Sequence, residues 1–209
     1  MVAAESNRRP ADVPTDDELR ALIAACSTRA PTGVRNRAMI AAMWRCGLRI
    51  AETLALRAAD VDLDAGTLRV RHGKGDKPRA VGLDRTTTAL LARWLDRRKA
   101  LGFNGRQPLF CTITTGTRGG VLLKAGSELD QSYVRHLLRR LAVKAGIERR
   151  IHPHGLRHAY AAGLAREGVA MNIIRDALGH SSLAVTDRYL RDVAPVHVIN
   201  TMRAREWAL

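Results

Sequence analysis

Apolar residues recur at helical spacing over most of the chain, interrupted by one interval in which they alternate. Thr15 followed by Glu18 has the spacing of a capping box, and Leu19, Leu22, Ile23 and Cys26 then share one face, which predicts a first helix. A second helix is expected from about Val34 to Cys46, carrying Met39, Ile40, Met43 and Trp44, with Gly47 placed to end it in a left-handed conformation. Ile50 to Leu56 resumes the period. The pattern then changes to short β-like runs, Val61 to Leu63, Thr67 to Arg71 and Arg79 to Leu83. They are joined by Asp64-Ala65-Gly66 and by Gly73-Lys74-Gly75-Asp76-Lys77, both rich in residues that tolerate positive φ, so a small antiparallel sheet is expected with Lys74 at a loop tip.

Helical periodicity returns from Arg85 to Leu101, Pro108 to Cys111 reads as a strand, and Thr112 to Gly120 reads as a polar Thr/Gly loop. Beyond Asp130 the chain is helical: about Gln131 to Ala145, Gly155 to Glu167, Asn172 to Leu178, Leu183 to Leu190 and Ala194 to Trp207. The expected class is α+β, mostly helical, with a small antiparallel three-stranded sheet. Residues 1–14, with Pro10, Pro14 and unpatterned charges, read as a flexible lead-in or linker stub, and residues 15–209 as one domain whose order begins near Thr15. No internal repeat is visible.

Charge narrows the class of partner. Lysine and arginine number 35 against 20 acidic residues, a net charge of +15 spread along the whole sequence, which describes a folded basic surface suited to a polyanion. Aromatic residues are only 4% of the chain, which argues against recognition by stacking unpaired bases and favours duplex DNA. Cys26, Cys46 and Cys111 are odd in number and widely spaced, so neither a disulfide framework nor a zinc site is expected, and a reducing cytoplasm is the expected location. Residues 1–14 lack the apolar stretch of a signal peptide, and no apolar run reaches membrane-spanning length.

Four stretches carry chemistry: Cys46-Gly47-Leu48-Arg49-Ile50-Ala51-Glu52, the Gly73-Lys74-Gly75 turn, His152-Pro153-His154-Gly155-Leu156-Arg157-His158, and Leu178-Gly179-His180-Ser181-Ser182 with Tyr189 after it. In this order they resemble the tyrosine recombinase (phage integrase) family, over about Thr15 to Leu190. The resemblance implies that family's catalytic fold. It also implies that Arg49 and Arg157 clamp a phosphate, that Lys74 is the hairpin lysine, that His154 and His180 are the two site histidines, and that Tyr189 is the nucleophile.

The chemistry explains why such residue types are wanted. Displacement at a phosphodiester concentrates negative charge on the non-bridging oxygens, and planar guanidinium forks that stay protonated answer it. A tyrosine with an ordinary pKa near 10 must lose its proton to attack, and His154 is a candidate base. The leaving 5′ oxygen needs a proton, which Lys74 can supply, with Lys77 three residues on as an alternative donor. His154 and Arg157 are one turn apart at a helix start, and Glu52, one turn after Arg49, can orient that arginine. Against these stand blander readings: arginines in surface ion pairs, a basic hairpin tip, a capping histidine and a core tyrosine. His152, His154, His158 and His180 have spacings that could serve a metal, but Arg157 among them repels a cation and no carboxylate or thiolate accompanies them, so no metal or other cofactor is expected.

Two departures accompany the resemblance. Gly155 stands where relatives often carry an acidic residue. Relatives also usually precede this region with a helical core-binding domain that closes around DNA, which is expected to be missing here. The resemblance therefore implies a site-specific recombinase or integrase catalytic domain that acts through a 3′-phosphotyrosine, as a monomer in solution and a tetramer on recombining DNA, with accessory DNA-bending proteins possible. The alternatives are a catalytically silent duplex-binding module and a nicking-resealing enzyme resembling a type IB topoisomerase. The last helix, with Val196, Val198, Ile199, Met202 and Trp207, docks either on its own core or on a neighbouring subunit.

Overall fold

Thr15 opens helix α1 (Asp16–Ala24) with the expected capping box: Glu18 N–H donates to Thr15 Oγ1 at 3.2 Å, and Thr15 N–H donates to Glu18 Oε2 at 2.7 Å. The computed structural model describes residues 13–71, 78–118 and 121–179, together with Arg203 and Arg205. Order extends slightly further towards the N-terminus than the composition suggests. Pro14 is buried, and Val13 accepts a hydrogen bond from Arg149 Nη1 at 3.0 Å.

Helix α2 (Pro31–Arg45) starts three residues before Val34, because Pro31 at the first helical position has a preset φ and lacks an N–H that would go unpaired there anyway. It is buried on almost every side, since Ala38, Ala41 and Ala42 allow neighbours close while Met39, Ile40, Met43 and Trp44 fill the gaps. Helices α1, α3 (Ile50–Ala55), α4 (Arg85–Ala100) and α6 (Pro153–Arg166) all pack against it. Within this core Arg35 is 2% exposed, and it donates to Asn36 Oδ1, to Tyr133 Oη and, at 2.7 Å, to the Cys111 carbonyl.

After a single 3₁₀ turn (Ala58–Asp60) come β1 (Val61–Asp62), β2 (Thr67–Val70) and β3 (Arg79–Gly82), antiparallel in that order, as the alternation predicts. Leu68 lies opposite Val61 and Val81, so Leu68, Val70 and Val81 turn one face of the sheet into the core. Asp84 caps α4 by accepting from Thr87 N–H at 2.9 Å, and Trp94 on that helix donates to the Leu109 carbonyl at 2.8 Å.

Two expectations need correction here. Pro108 to Cys111 is not a strand: Pro108 and Cys111 make only isolated bridges, with Arg57 and Glu128, and the carbonyls of Pro108, Leu109 and Cys111 accept from the side chains of Arg98, Trp94 and Arg35. The segment expected to be a Thr/Gly loop contains β4 (Gly116–Arg118), paired antiparallel with β5 (Val121–Leu123). Gly119 and Gly120 between β-forming residues are a hairpin signal that the polar composition obscures.

Helices α5 (Gln131–Lys144), α6 and α7 (Met171–Leu178) complete the described fold. α7 is seated mainly by a small cluster of its own, in which Ile174 and Leu178 meet Ala161 of α6, apart from the main core. The expected helices Leu183 to Leu190 and Ala194 to Trp207 lie outside the described residues. No helix among the described residues is long and apolar enough to cross a membrane.

Candidate functional site

The site is built where the ends of four helices meet the start of a strand. α2 stops at Cys46, and Gly47 follows with φ +59, where a Cβ would stand 2.3 Å from Cδ1 of Tyr160. Only glycine satisfies both the backbone and that ring. The chain thereby turns so that Arg49 becomes the N-cap of α3, and Glu52 in the first turn of α3 reaches back to it. Glu52 Oε2 accepts from the Arg49 backbone N–H at 2.9 Å, and Oε1 accepts from Arg49 Nη1 at 2.7 Å.

Arg157 enters from α6, where Pro153 at the first helical position and His152 at the cap fix the helix start; His152 Nδ1 accepts from Gly155 N–H at 3.0 Å. The Arg157 side chain is 3% exposed and stands 3.9 Å from Glu52 Oε2. Its two terminal nitrogens donate to the carbonyls of Gly47 and Leu178. Arg49 and Arg157, far apart in the chain, are thus brought to the same carboxylate.

A third guanidinium shares the site. Arg79, the first residue of β3, donates through Nη1 to Glu52 Oε1 at 3.0 Å and through Nη2 to Oε2 at 2.8 Å, and its Nε donates to the Ala177 carbonyl at 3.1 Å. Arg49 Nη2 reaches the Gly179 carbonyl at 3.4 Å. The carbonyls that end α7, at Ala177, Leu178 and Gly179, therefore each face one of the three arginines, the cation placement that the negative end of a helix dipole favours. Arg79 was not among the residues that the motifs single out. Its signal lay in strand parity: it shares a face with Val81, which the alternation turns inward, and a charge on an inward face calls for a buried partner.

Electrostatics follow from this crowding. Burial alone would raise the Glu52 carboxyl, but hydrogen bonds from Arg79 and Arg49 outweigh it and hold the pKa at about 2. His154, the second residue of α6, is solvent-accessible. Its pKa nevertheless lies below the ordinary imidazole value, through desolvation by the surrounding protein first and then through His152, Arg157 and Arg49. A histidine so placed is neutral at pH 7 and able to accept a proton. The His154 ring stacks 6.5 Å from that of His152 and meets that of His158 edge-on at 4.3 Å. Among the described residues no group of three His, Cys, Asp or Glu side chains is placed to hold a metal ion.

The structure thus brings Arg49, Glu52 and Arg157 together with His154 beside them. Lys74, Lys77, His180 and Tyr189 lie outside the described residues; in the sequence Lys74 and Lys77 precede β3, and His180 follows α7. Gly155, the departure noted in the motif, is packed: a Cβ there would stand 3.2 Å from Cδ of Pro14. A side chain at this position would require Pro14 to shift by a few tenths of an ångström.

Comparison with known proteins gives a consistent set of likenesses. The model of the phage integrase family matches residues 13–194. Tyrosine recombinase XerD of Ralstonia nicotianae is 35% identical over 187 residues, which cover 87% of this chain and 57% of that protein. Tyrosine recombinase XerC of Chromohalobacter salexigens is 36% identical over 183 residues, covering 88% of this chain and 56% of that protein. The chain thus spans little more than half the length of these relatives. Among solved structures, the XerA recombinase superposes with a TM-score of 0.77 at 26% identity, covering 99% of this chain and 68% of that one. The XerH site-specific recombinase bound to palindromic difH substrate, in a post-cleavage complex, gives 0.71 at 28% identity, covering 92% and 53%.

Proposed function

The chain belongs to the phage integrase family of tyrosine recombinases, and from that premise we propose that it is the catalytic part of a site-specific DNA recombinase acting on duplex DNA. The observation that carries the reading is the convergence of Arg49 and Arg157 on one buried carboxylate, with a solvent-accessible, neutral His154 beside them. A solved relative bound to its DNA substrate supports duplex DNA as the partner.

In the proposed reaction Tyr189 Oη attacks the scissile phosphorus as its proton passes to His154. The bond from phosphorus to the 5′ oxygen breaks, and that oxygen takes a proton from Lys74, or from Lys77 in its place. Arg49 and Arg157 neutralise the charge that gathers on the non-bridging oxygens, and His180 donates a hydrogen bond to one of them. The product is a 3′-phosphotyrosine and a free 5′-hydroxyl. Because the ester energy is retained in that link, the reverse attack by a 5′-hydroxyl reseals the strand without ATP, and every proton is handled by a side chain without a metal. The chain acts as a monomer in solution and in fours on two duplexes, and accessory proteins that bend DNA assist at that stage.

The test is an SDS-resistant protein–DNA adduct on nicked duplexes from the host locus, with EDTA present throughout. Wild type is expected to form the adduct and Tyr189→Phe to form none while still binding duplex. Binding without any adduct from wild type would favour a catalytically silent module, and relaxation of supercoiled DNA without exchange between sites would favour a nicking-resealing enzyme.

A further inference from the structure

We propose that Arg79 is a positioning residue whose task is to occupy Glu52, so that the positive charge of Arg49 and Arg157 is kept for a phosphate. The inference rests on the reading of those two arginines as a phosphate clamp, and goes beyond it by assigning a role to a strand residue outside the motifs.

Geometry distinguishes the three guanidiniums. Arg79 alone grips both carboxylate oxygens with side-chain nitrogens, at 3.0 and 2.8 Å, in the two-pronged arrangement that suits an arginine fork. Arg49 uses one side-chain nitrogen on Oε1, and Arg157 stands outside hydrogen-bond range at 3.9 Å. Arg79 is also held in place by neighbours other than Glu52. Its Nε donates to the Ala177 carbonyl, and its guanidinium passes close to Gly179, where a Cβ would meet Nη1 at 3.2 Å and Cζ at 3.4 Å. Gly179 itself has φ +62, so glycine there serves both the left-handed turn and the passage of the arginine.

Charge gives the arrangement its purpose. Three guanidiniums around Glu52 leave an excess of two positive charges among these four described side chains. The transition state of phosphodiester displacement carries close to two negative charges, so the excess matches the species to be stabilised. Without Arg79 the same buried carboxylate would turn to Arg157 and Arg49, and the excess would fall to one.

The experiment uses the full chain and inorganic phosphate, titrated at low ionic strength and followed through the His154 imidazole resonances. Arg79→Met is expected to weaken phosphate binding by about tenfold, the effect of one unit charge acting across a few ångströms of partly screened protein. Glu52→Gln should tighten it by a similar factor. The double variant Arg79→Met/Glu52→Gln should return to within about threefold of wild type, because the net charge of the site is restored. Loss of packing alone would not be cured by a second change, so rescue separates the charge role from a structural one. If Arg79→Met fails to fold, Glu52→Gln and the double variant decide the matter against wild type. Unchanged binding in a folded Arg79→Met, or a double variant far weaker than wild type, would overturn the proposal. A wild type whose His154 ignores phosphate would remove the clamp reading and the proposal together.

Discussion

Glu52 shows how a single residue can be both a local cap and a long-range hub. Its side chain is 4% exposed, closes the first turn of α3 on Arg49 and ties that turn to β3 through Arg79. A buried carboxylate is tolerated only when hydrogen-bonded to cations, and removing one partner of such a set leaves an uncompensated charge. Because the folded pKa is depressed, Glu52 adds stability that is complete above its ordinary value of 4.5 and is lost as the pH falls to about 2. Glu52→Gln should therefore melt below wild type at pH 7, and the gap should close between pH 4.5 and 2 in thermal scans. A gap of constant size across that range would show that the carboxylate charge does not contribute.

Among the elements, α7 occupies a special position. Its carbonyl end touches all three site arginines, yet it is seated by a cluster far smaller than the core around α2. Elements with little apolar burial open at a lower free energy than the molecule as a whole. Ile174 is fully buried in that small cluster, so Ile174→Ala should cost roughly 2–5 kcal/mol in local stability. The expected outcome is faster amide exchange across Met171–Leu178 with little change in α2. Equal acceleration in both helices would show that α7 opens only when the whole domain unfolds. An α7 able to move as a unit would carry the Gly179 turn with it and alter the carbonyl partners of Arg157 and Arg49.

At the scale of the whole molecule, the three thiols report on integrity. Cys26, Cys46 and Cys111 are all buried, and burial is the main cause that pushes Cys26 up to about 11, Cys46 up to about 12 and Cys111 above its ordinary value. They lie at the end of α1, the end of α2 and beyond α4, so no single local opening exposes them all. Alkylation by iodoacetamide at pH 8 should be slow and should proceed at one common rate, set by global unfolding. A thiol modified in the native protein at the rate of free cysteine would contradict this. The same scale governs the charge of +15, which presents a field to a polyanion.

Periodicity and motif spacing made the helices α1 to α7, the three-stranded sheet and the family likeness readable in advance, because each depends on contacts within a few residues or on a short chemical pattern. The capping box at Thr15 and the left-handed Gly47 are local events of this kind. The hairpin of β4 and β5 was obscured because threonine and glycine suit a loop as well as a short strand, and only pairing decides between them. The site divides in the same way. That arginines and histidines of these types were present was legible one residue at a time. That Arg49 and Arg157 share Glu52 with Arg79, and that all three meet the carbonyl end of α7, depended on segments far apart in the chain reaching one point. A buried carboxylate surrounded by three cations is a many-body arrangement, and no local pattern in the sequence encodes which cation takes both of its oxygens.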